Sequence, residues 1–365
     1  MIFFLNATEE QLEFQDRAEI EELFSKLIDA DRRGRHYFVL PRRIATWALE
    51  NLPFTTRQKS HLTDIKQHHA TRGALPRKAG AYLEICLEEL EVQVQDDRSF
   101  RIGVKTFLSG EYADTKAALV IEDLVNDAGL YQHLLNETRK LTDVPSFSFE
   151  PVHAGGSRVA PVFNSEIAKD KVVCCLVDTD KIAPCAAKSA TARQVLNIEH
   201  RRNVTPTPID RSFVGGAFCT VGHELENSIP FHIARDLVEV NSPSLEILGR
   251  IVSQNQVPRD HDCFWLFFDI KEGLCGATLA SKRQSGHITE DSLQWLLDKL
   301  NIDEENLQET TIDGFGDGIV RKFLNCPLSL KKFHEFTRTD YWKGLFLEQF
   351  ERLLWFFAAP PRERI

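Results

Sequence analysis

The sequence feature that most constrains the fold is a short apolar run that ends in two aspartates. Residues 172–177 read VVCCLV, and Asp178, Thr179 and Asp180 follow directly. An apolar run of this length between polar residues is typical of a strand buried on both faces, usually in a parallel sheet. Ligands of such sheets bind at the carboxyl ends of the strands. Two carboxylates there, one residue apart, suit a hard divalent cation such as Mg²⁺, so the run favours a metal-dependent enzyme.

Length and hydropathy favour a cytoplasmic protein of one large or up to three smaller domains. The chain has 365 residues, and no run approaches the roughly 18 apolar residues that span a bilayer. The opening MIFFLNATEEQLEF turns acidic too early for a signal peptide and predicts a first strand instead. The eight cysteines form no C-x-x-C pair, so we expect buried, reduced thiols.

Charge and motifs exclude some classes of function. The net charge of −10 argues against bulk coating of nucleic acid, although local basic clusters can still bind it. The chain contains no G-x-x-x-x-G-K-[ST] motif, so it carries no P-loop ATPase of its own.

The predicted elements divide the chain into three parts. Residues 1–112 predict an N-terminal α/β unit without a recognised chemical motif, and residues 113–275 predict a central α/β domain. Residues 276–365 predict a helical C-terminal region, whose last segment, 340–361, forms a long apolar helix that packs on the body. The predicted fold class is therefore α/β, with a central Rossmann-like parallel sheet and right-handed crossovers.

The central domain alternates predicted strands and helices. Strands are expected in KAALVIED (116–123), SFSFEPVHAGG (146–156), KVVCCLVDTDK (171–181) and GGAFCTVGHELENSIP (215–230), and helices in DAGLYQHLLNETRKL (127–141) and RVAPVFNSEIAK (158–169). Further along, DCFWLFFDIKEGL (262–274) predicts a buried aromatic strand that ends at Asp269 and Lys271.

Three of these strands end in carboxylates, which we expect to meet at one edge of the sheet. The acids are Glu122 with Asp123 and Asp127, then Asp178 and Asp180, then Glu224 and Glu226. A single acid after a strand is usually a helix cap. Three acidic strand ends would repel one another without a cation. Two Mg²⁺ ions would neutralise them, activate water and stabilise an in-line phosphoryl displacement.

The order of these motifs resembles a TOPRIM domain, the metal-binding module of topoisomerases, bacterial primases and OLD-family nucleases. The resemblance covers residues from about 115 to 235. It rests on Glu122 in VIEDLVND, Gly155 and Gly156 in HAGGS, Asp178 and Asp180 in LVDTD, and Glu226 in HELENSIP. Two departures stand out: Asp123 replaces the usual glycine after the glutamate, and Asn126 lies four residues after Glu122, with Asp127 one further along.

The resemblance implies that these acids hold Mg²⁺ or Mn²⁺, as two ions, and that a metal-bound water attacks a phosphodiester. The implied ligands are Glu122, Asp178, Asp180 and Glu226, with Asp127 and Glu224 as further candidates. In an extended segment Glu224 and Glu226 face the same side, so geometry alone does not choose between them. OLD-type nucleases place a basic side chain near the metals, and Lys271 is our candidate, ahead of Lys181.

Two further features qualify as accessory groups. Gly155, Gly156 and Ser157 lead into a helix, where backbone N–H groups bind phosphate, or else they form a tight turn with positive φ. His153 and His223 are candidates for a general base or for assisting the leaving group, or else they are polar strand ends.

The leading interpretation is a metal-dependent endonuclease, implied by the resemblance, whose partners are nucleic acid and, by analogy, a separate ABC-type ATPase in anti-phage defence. A homo-oligomer is left open. The alternatives are a non-catalytic TOPRIM-like scaffold, a HAD-type phosphatase and a glycosyltransferase. The phosphatase motif continues with Gly-Thr on the first strand, whereas Lys181-Ile182 follows here. A nucleotide-binding feature expected for a glycosyltransferase is not evident in the sequence.

Overall fold

The computed structural model describes residues 1–96, 99–125, 127–204, 206–207, 210–238, 243–255, 263–284 and 288–362. Within these ranges, no helix is long and apolar enough to cross a membrane.

The N-terminal part contains a five-stranded sheet surrounded by helices. Its strands are β1 (Ile2–Leu5), β2 (Tyr37–Val39), β3 (Tyr82–Cys86), β4 (Gln93–Val94) and β5 (Ser99–Gly103). Its helices are α1 (Glu9–Glu13), α2 (Arg17–Arg32), α3 (Arg42–Asn51), α4 (Thr56–Gln67), α5 (His69–Arg72), α6 (Leu75–Lys78) and α7 (Val104–Ser109). The order is β2-β1-β3-β5-β4, and only the short edge strand β4 is antiparallel to its neighbour. Helix α3 ends just before Pro53, which cannot continue a helix.

The central part is a four-stranded, fully parallel sheet in the order β7-β6-β8-β9. Its elements are β6 (Ala118–Ile121), α8 (Asp127–Arg139), β7 (Glu150–His153), α9 (Val159–Ile167), β8 (Val172–Val177), α10 (Ala190–Val204) and β9 (Val214–Cys219). All four predicted strands and both predicted helices are present. Pro161 lies in the first turn of α9, where its missing N–H costs nothing.

Alternate residues of the central strands face two different hydrophobic clusters, as the two-residue period of a strand requires. On one face, Val173 packs with Phe163 of α9 and Val195 of α10. On the other face, Cys174 packs in the cluster that contains Leu134 of α8. The helices therefore cover both faces of the sheet, as expected for right-handed crossovers that run in opposite directions.

The C-terminal part is mostly helical, as predicted. Its helices are α11 (Phe231–Asp236), α12 (Pro243–Asn255), α13 (Phe264–Phe267), α14 (Gly276–Gln284), α15 (Glu290–Leu300), α16 (Ile319–Leu324), α17 (Pro327–Phe336), α18 (Asp340–Trp342) and α19 (Glu348–Phe356). A π-helical turn, Lys343–Leu347, joins the last two. The strands β10 (Gly273–Cys275) and β11 (Thr311–Asp313) form an antiparallel pair.

The aromatic strand predicted over residues 262–274 is wrong, because residues 263–272 form the short helix α13 followed by a turn, and only Gly273 and Leu274 belong to a strand, β10. In the aromatic part the Nδ2 of Asn227 donates to the carbonyls of Trp265, at 2.6 Å, and Phe268, at 2.9 Å. Consecutive aromatic residues are typical of a buried strand, but a buried helix segment gives the same pattern.

One hydrophobic cluster runs through all three parts of the chain. It contains Phe3 of β1, Leu134 of α8 and Leu353 of α19. The predicted packing of the last helix on the body is confirmed, since Trp355 and Phe356 are 1% exposed. The α/β fold class is likewise confirmed. The proposed boundaries at residues 112 and 275 stay predictions, because the three parts share this core.

The prediction that the cysteines are buried is only half right. All eight are free thiols, and Cys86, Cys174, Cys175 and Cys263 are buried. Cys185 and Cys275 are exposed, and Cys219 and Cys326 are partly exposed.

Candidate functional site

The candidate site lies where β6 and β8 end side by side. In a sheet of this order the chain leaves these two strands in opposite directions, which opens a crevice between their carboxyl ends. Glu122 follows β6 directly, and Asp178 follows β8 directly. The backbone N–H of Asp178 donates a hydrogen bond to the carboxylate of Glu122. The two strands therefore each deliver a carboxylate to one crevice.

The loop after β9 brings two glutamates back to the same crevice. It remains close to β8 because the N–H of Thr220 donates to the carbonyl of Val177 at 2.9 Å. It then passes tightly against α13: a Cβ on Gly222 would lie 2.1 Å from the carbonyl oxygen of Leu266. Only glycine fits at that approach. The chain next reaches Glu224, where a 3₁₀ turn begins.

Three carboxylates meet here and form what we call the acid cluster: Asp178, Glu224 and Glu226. Among the described residues, these three each offer an oxygen within 4.8 Å of the others. Asp178 is half-buried and accepts a hydrogen bond from the N–H of Leu225 at 2.9 Å. Glu226 is almost completely buried, at 1% exposure. The structure thus brings together three of the six acids that the sequence proposed as ligands.

The two glutamates of the cluster differ in how their oxygens are used. Glu224 uses both: Oε1 accepts from the N–H of Ile270 at 2.9 Å, and Oε2 lies 2.9 Å from Nζ of Lys271. Glu226 is held less firmly: its Oε1 lies 2.9 Å from the same Nζ, as an ion pair without hydrogen-bond geometry. Its buried Oε2 has no partner in the described part of the chain. Glu226 therefore has an oxygen free to bind a ligand, whereas Glu224 is held in place.

Lys271 lies beside the acids, although the strand it was expected to end does not form. Burial alone would lower the pKa of this ammonium, but Glu226 and Glu224 raise the pKa above its ordinary value. The other lysine candidate, Lys181, does not join the cluster. Its Nζ donates to the carbonyl of Pro184 and lies 5.9 Å from the centre of the Phe267 ring.

One ammonium does not neutralise three carboxylates, and the carboxyl pKa values reflect this. Burial, then Glu226 and Glu224, raise the pKa of Asp178 well above its usual range, against the opposing effect of Lys271. Burial and Glu226 raise the pKa of Glu224 to about 7. The cluster therefore holds more negative charge than its surroundings stabilise.

The remaining predicted ligands, Glu122, Asp127 and Asp180, lie outside the acid cluster as the structure has it. The pKa of Glu122 is raised by burial and by Asp180. Asp180 is exposed and adopts a left-handed backbone, with φ of 52°. Asp127 begins α8, and its Oδ2 accepts from the N–H of Asp123 at 3.1 Å. That bond closes the loop after β6, so one oxygen of Asp127 has a structural partner; Asn126 lies outside the described residues.

The acid cluster nevertheless affects the pKa of Asp127. Burial and Glu226 raise the pKa of Asp127 to about 7.

The glycine turn lies next to Glu122. Gly155 and Gly156 have φ of 69° and 54°, so the tight-turn alternative describes their backbone. The N–H of Gly155 donates to the carbonyl of Glu122 at 3.1 Å, and a 3₁₀ turn at Gly156–Arg158 leads into α9. The position beside the acids suits a phosphate, whose binding here stays a prediction; the side chain of Ser157 lies outside the described residues.

Both histidines have structural partners. Nδ1 of His153 accepts from the N–H of Leu124 at 3.2 Å, which holds the loop after β6. Nδ1 of His223 lies 3.0 Å from the carbonyl of Lys181, and Nε2 lies 3.7 Å from Asp269. Burial alone would lower the pKa of His223, but Asp269 raises it.

Sequence reasoning missed Asn227 as a site residue. Besides its bonds to α13, its Oδ1 accepts from the N–H of Glu224 at 2.7 Å, so one buried amide fixes both the acidic turn and the aromatic helix. The only sequence signal was its place inside the HELENSIP run.

Comparisons of the chain with protein-family models, with curated proteins and with solved structures found no match. No relative therefore assigns this site a role, and any functional conclusion has to come from its geometry and chemistry.

Proposed function

We propose that the protein is a divalent-cation-dependent hydrolase of nucleic-acid phosphodiesters, built on a TOPRIM-like domain. The observation that carries the proposal is the buried, unpartnered Oε2 of Glu226 beside Asp178 and Glu224. A buried carboxylate oxygen without a partner is costly, and a cation removes that cost.

The residues fit a hard divalent cation. All three donor groups offer carboxylate oxygens, which Mg²⁺ and Mn²⁺ prefer. The raised carboxyl pKa values of Asp178 and Glu224 indicate unbalanced negative charge, as expected where a cation is needed. Asp178 and Glu226 are the proposed ligands of the first ion. Glu122 and Asp180 are proposed for a second ion at the outer side of the crevice.

Bound cations would activate water and stabilise the charge that develops on the phosphoryl group. The chain's own residues would orient the substrate. Lys271, held by Glu224 and Glu226, would balance charge on a phosphate oxygen. The backbone N–H groups at Gly156 and the start of α9 would bind the neighbouring phosphate.

Cation binding and cleavage test the proposal together. Purified protein is titrated with Mg²⁺ or Mn²⁺ by calorimetry, and then incubated with single-stranded DNA, duplex DNA and RNA, with EDTA as the blank. Glu226→Gln and Asp178→Asn should weaken cation binding and slow cleavage at least about 100-fold. The matched control is Glu84→Gln in the N-terminal sheet, which should leave both unchanged. Cleavage at wild-type rate by both acid variants would contradict the metal assignment.

One observation favours a second candidate, the non-catalytic scaffold. Lys271 already pairs with two of the three cluster acids at 2.9 Å, as a structural ion pair would. Tight nucleic-acid binding without cation binding or cleavage would support that alternative. Release of phosphate from small phosphoesters, with nucleic acid left intact, would instead support a phosphatase.

We further propose that the enzyme acts in the cytoplasm as an anti-phage effector that a separate ABC-type ATPase controls. The lack of a P-loop and the net charge of −10 support this, because an acidic chain needs help to approach nucleic acid. Full-rate degradation of plasmid DNA by the purified chain alone would contradict such control.

A further inference from the structure

An aromatic pocket adjoins the acid cluster. It has a volume of about 190 Å³, and its walls come from α13, α14 and the β10–β11 pair. Phe264, Phe267 and Phe268 line it together with Leu279 of α14, and His223 and Asp269 line it too.

The same two backbone segments border the pocket and hold the acid cluster. His223 lines the pocket and directly precedes Glu224. Asp269 also lines it, and the next residue, Ile270, donates its N–H to Glu224 at 2.9 Å. A group bound in the pocket would therefore lie next to a phosphate bound at the acids.

Size and lining restrict what the pocket can hold. Sites for whole drug-sized molecules usually measure about 300–1,000 Å³, so this one suits a single planar ring. Aromatic side chains bind nucleobases by stacking, and Phe264 and Phe267 are themselves supported by Trp295, with ring centres 6.3 and 5.5 Å away.

The charges at the rim select the base over the phosphate. Asp269, Glu272 and Asp313 all border the pocket, with Lys282 as the basic residue. Carboxylates repel a phosphate, whereas they accept hydrogen bonds from the amino groups of cytosine, adenine and guanine. The rim thus suits a neutral ring that carries N–H donors.

We infer that the pocket receives one unpaired nucleobase beside the scissile phosphate, so that the substrate is single-stranded or locally unpaired nucleic acid. The inference rests on the proposed hydrolase function and adds a substrate class to it. An enzyme that reads a base in a pocket must take that base out of the stack.

The test fills the mouth of the pocket. Thr278 is exposed on α14 and lines the pocket, so Thr278→Trp should block it with little effect on folding. Ala277→Trp is the matched control, because Ala277 is exposed on the same helix and outside the pocket lining. Binding of a labelled single-stranded oligonucleotide is measured in EDTA by anisotropy. Cleavage is measured in Mg²⁺ on that oligonucleotide and on one with an abasic position at the cleavage site.

Thr278→Trp should raise both the Kd and the KM at least about 10-fold, while Ala277→Trp and Mg²⁺ affinity stay at wild-type values. Wild type should bind the abasic oligonucleotide about as weakly as Thr278→Trp binds the intact one. If neither Thr278→Trp nor the abasic position alters cleavage, the pocket inference is wrong and the hydrolase proposal stands. If both Thr278→Trp and the abasic position weaken binding but the wild type does not cleave, the hydrolase proposal is wrong and the base-binding pocket stands. No oligonucleotide binding by wild type would overturn the pocket inference outright.

Discussion

The N-terminal and central sheets have the same order around their centres, with β1 beside β3 in one and β6 beside β8 in the other. At the N-terminal crevice, Asn6 donates to Glu84 at 3.1 Å, and Glu84 lies 3.9 Å from Arg101. Asn6 is exposed there, and the other two side chains are partly exposed.

At the central crevice Glu224 and Glu226 are buried, Asp178 and Lys271 are partly exposed, and the charges are incompletely matched. Three carboxylates share the single ammonium of Lys271, and one oxygen of Glu226 has no partner among the described residues. The two sheets share this topology, but within the described ranges only the central crevice has a buried carboxylate oxygen without a hydrogen-bond partner. A fold offers a position for a site, and the chemistry of the side chains decides whether it is one.

The two crevices should differ most in the loss of stability when the basic side chain of each is removed. In EDTA at pH 8, Lys271→Met should lower the free energy of unfolding by about 3 kcal/mol, because it leaves two buried carboxylates without a counter-charge. Arg101→Met should cost less than about 1 kcal/mol, since exposed ion pairs contribute little. Chemical denaturation measures both. Equal losses would mean that the central pair is as weakly coupled as the N-terminal one.

Each crevice also has an asparagine. Removing the two asparagine side chains should give a smaller difference in the free energy of unfolding than removing the two basic side chains. Asn227 is 2% exposed and bonds three backbone groups, so Asn227→Ala should cost about 2 kcal/mol by leaving those groups unsatisfied. Asn6→Ala should change the free energy of unfolding by less than about 0.5 kcal/mol. Thermal unfolding compares the pair. A tolerated Asn227→Ala would show that α13 is held mainly by its apolar packing.

The smallest effect depends on pH. The pKa of Glu224 is raised to about 7, chiefly by burial and Glu226, so its stabilising contribution is complete below about pH 4.5 and is lost as pH rises through 7. Glu224→Gln does not titrate. In EDTA, its unfolding free energy minus that of wild type should rise by about 1 kcal/mol from about pH 6 to about pH 7.

Glu84→Gln is the control for this series, and its difference from wild type should stay within about 0.5 kcal/mol throughout. A flat curve for Glu224→Gln would mean that Lys271 fully compensates Glu224. Saturating Mg²⁺ should flatten the wild-type response, because a bound cation keeps the acids ionised at lower pH.

Local patterns predicted the central sheet well. The apolar runs at β6 and β8 and the helical spacing of α8 depend on residues close in sequence, and all three elements form as expected. The aromatic strand prediction failed, because Phe264–Phe267 can be buried equally well as a helix or as a strand. The helix is held by contacts with the distant loop after β9, among them the hydrogen bonds of Asn227 and of the N–H of His223. The pocket beside it was not foreseen, since its walls come from separate segments.

The sequence by itself determined which strands end in acids and that those strands lie in a parallel sheet, because spacing and polarity along the chain control both. The spacing of Glu224 and Glu226 did not choose between them, and only the resemblance favoured Glu226. The tertiary structure separated them: Ile270, 46 residues after Glu224, occupies one oxygen of Glu224, and Lys271 occupies the other. Of the two glutamates, Glu226 keeps a buried Oε2 that has no partner among the residues that the structure describes. Such differences arise from contacts between distant segments, which no local pattern encodes.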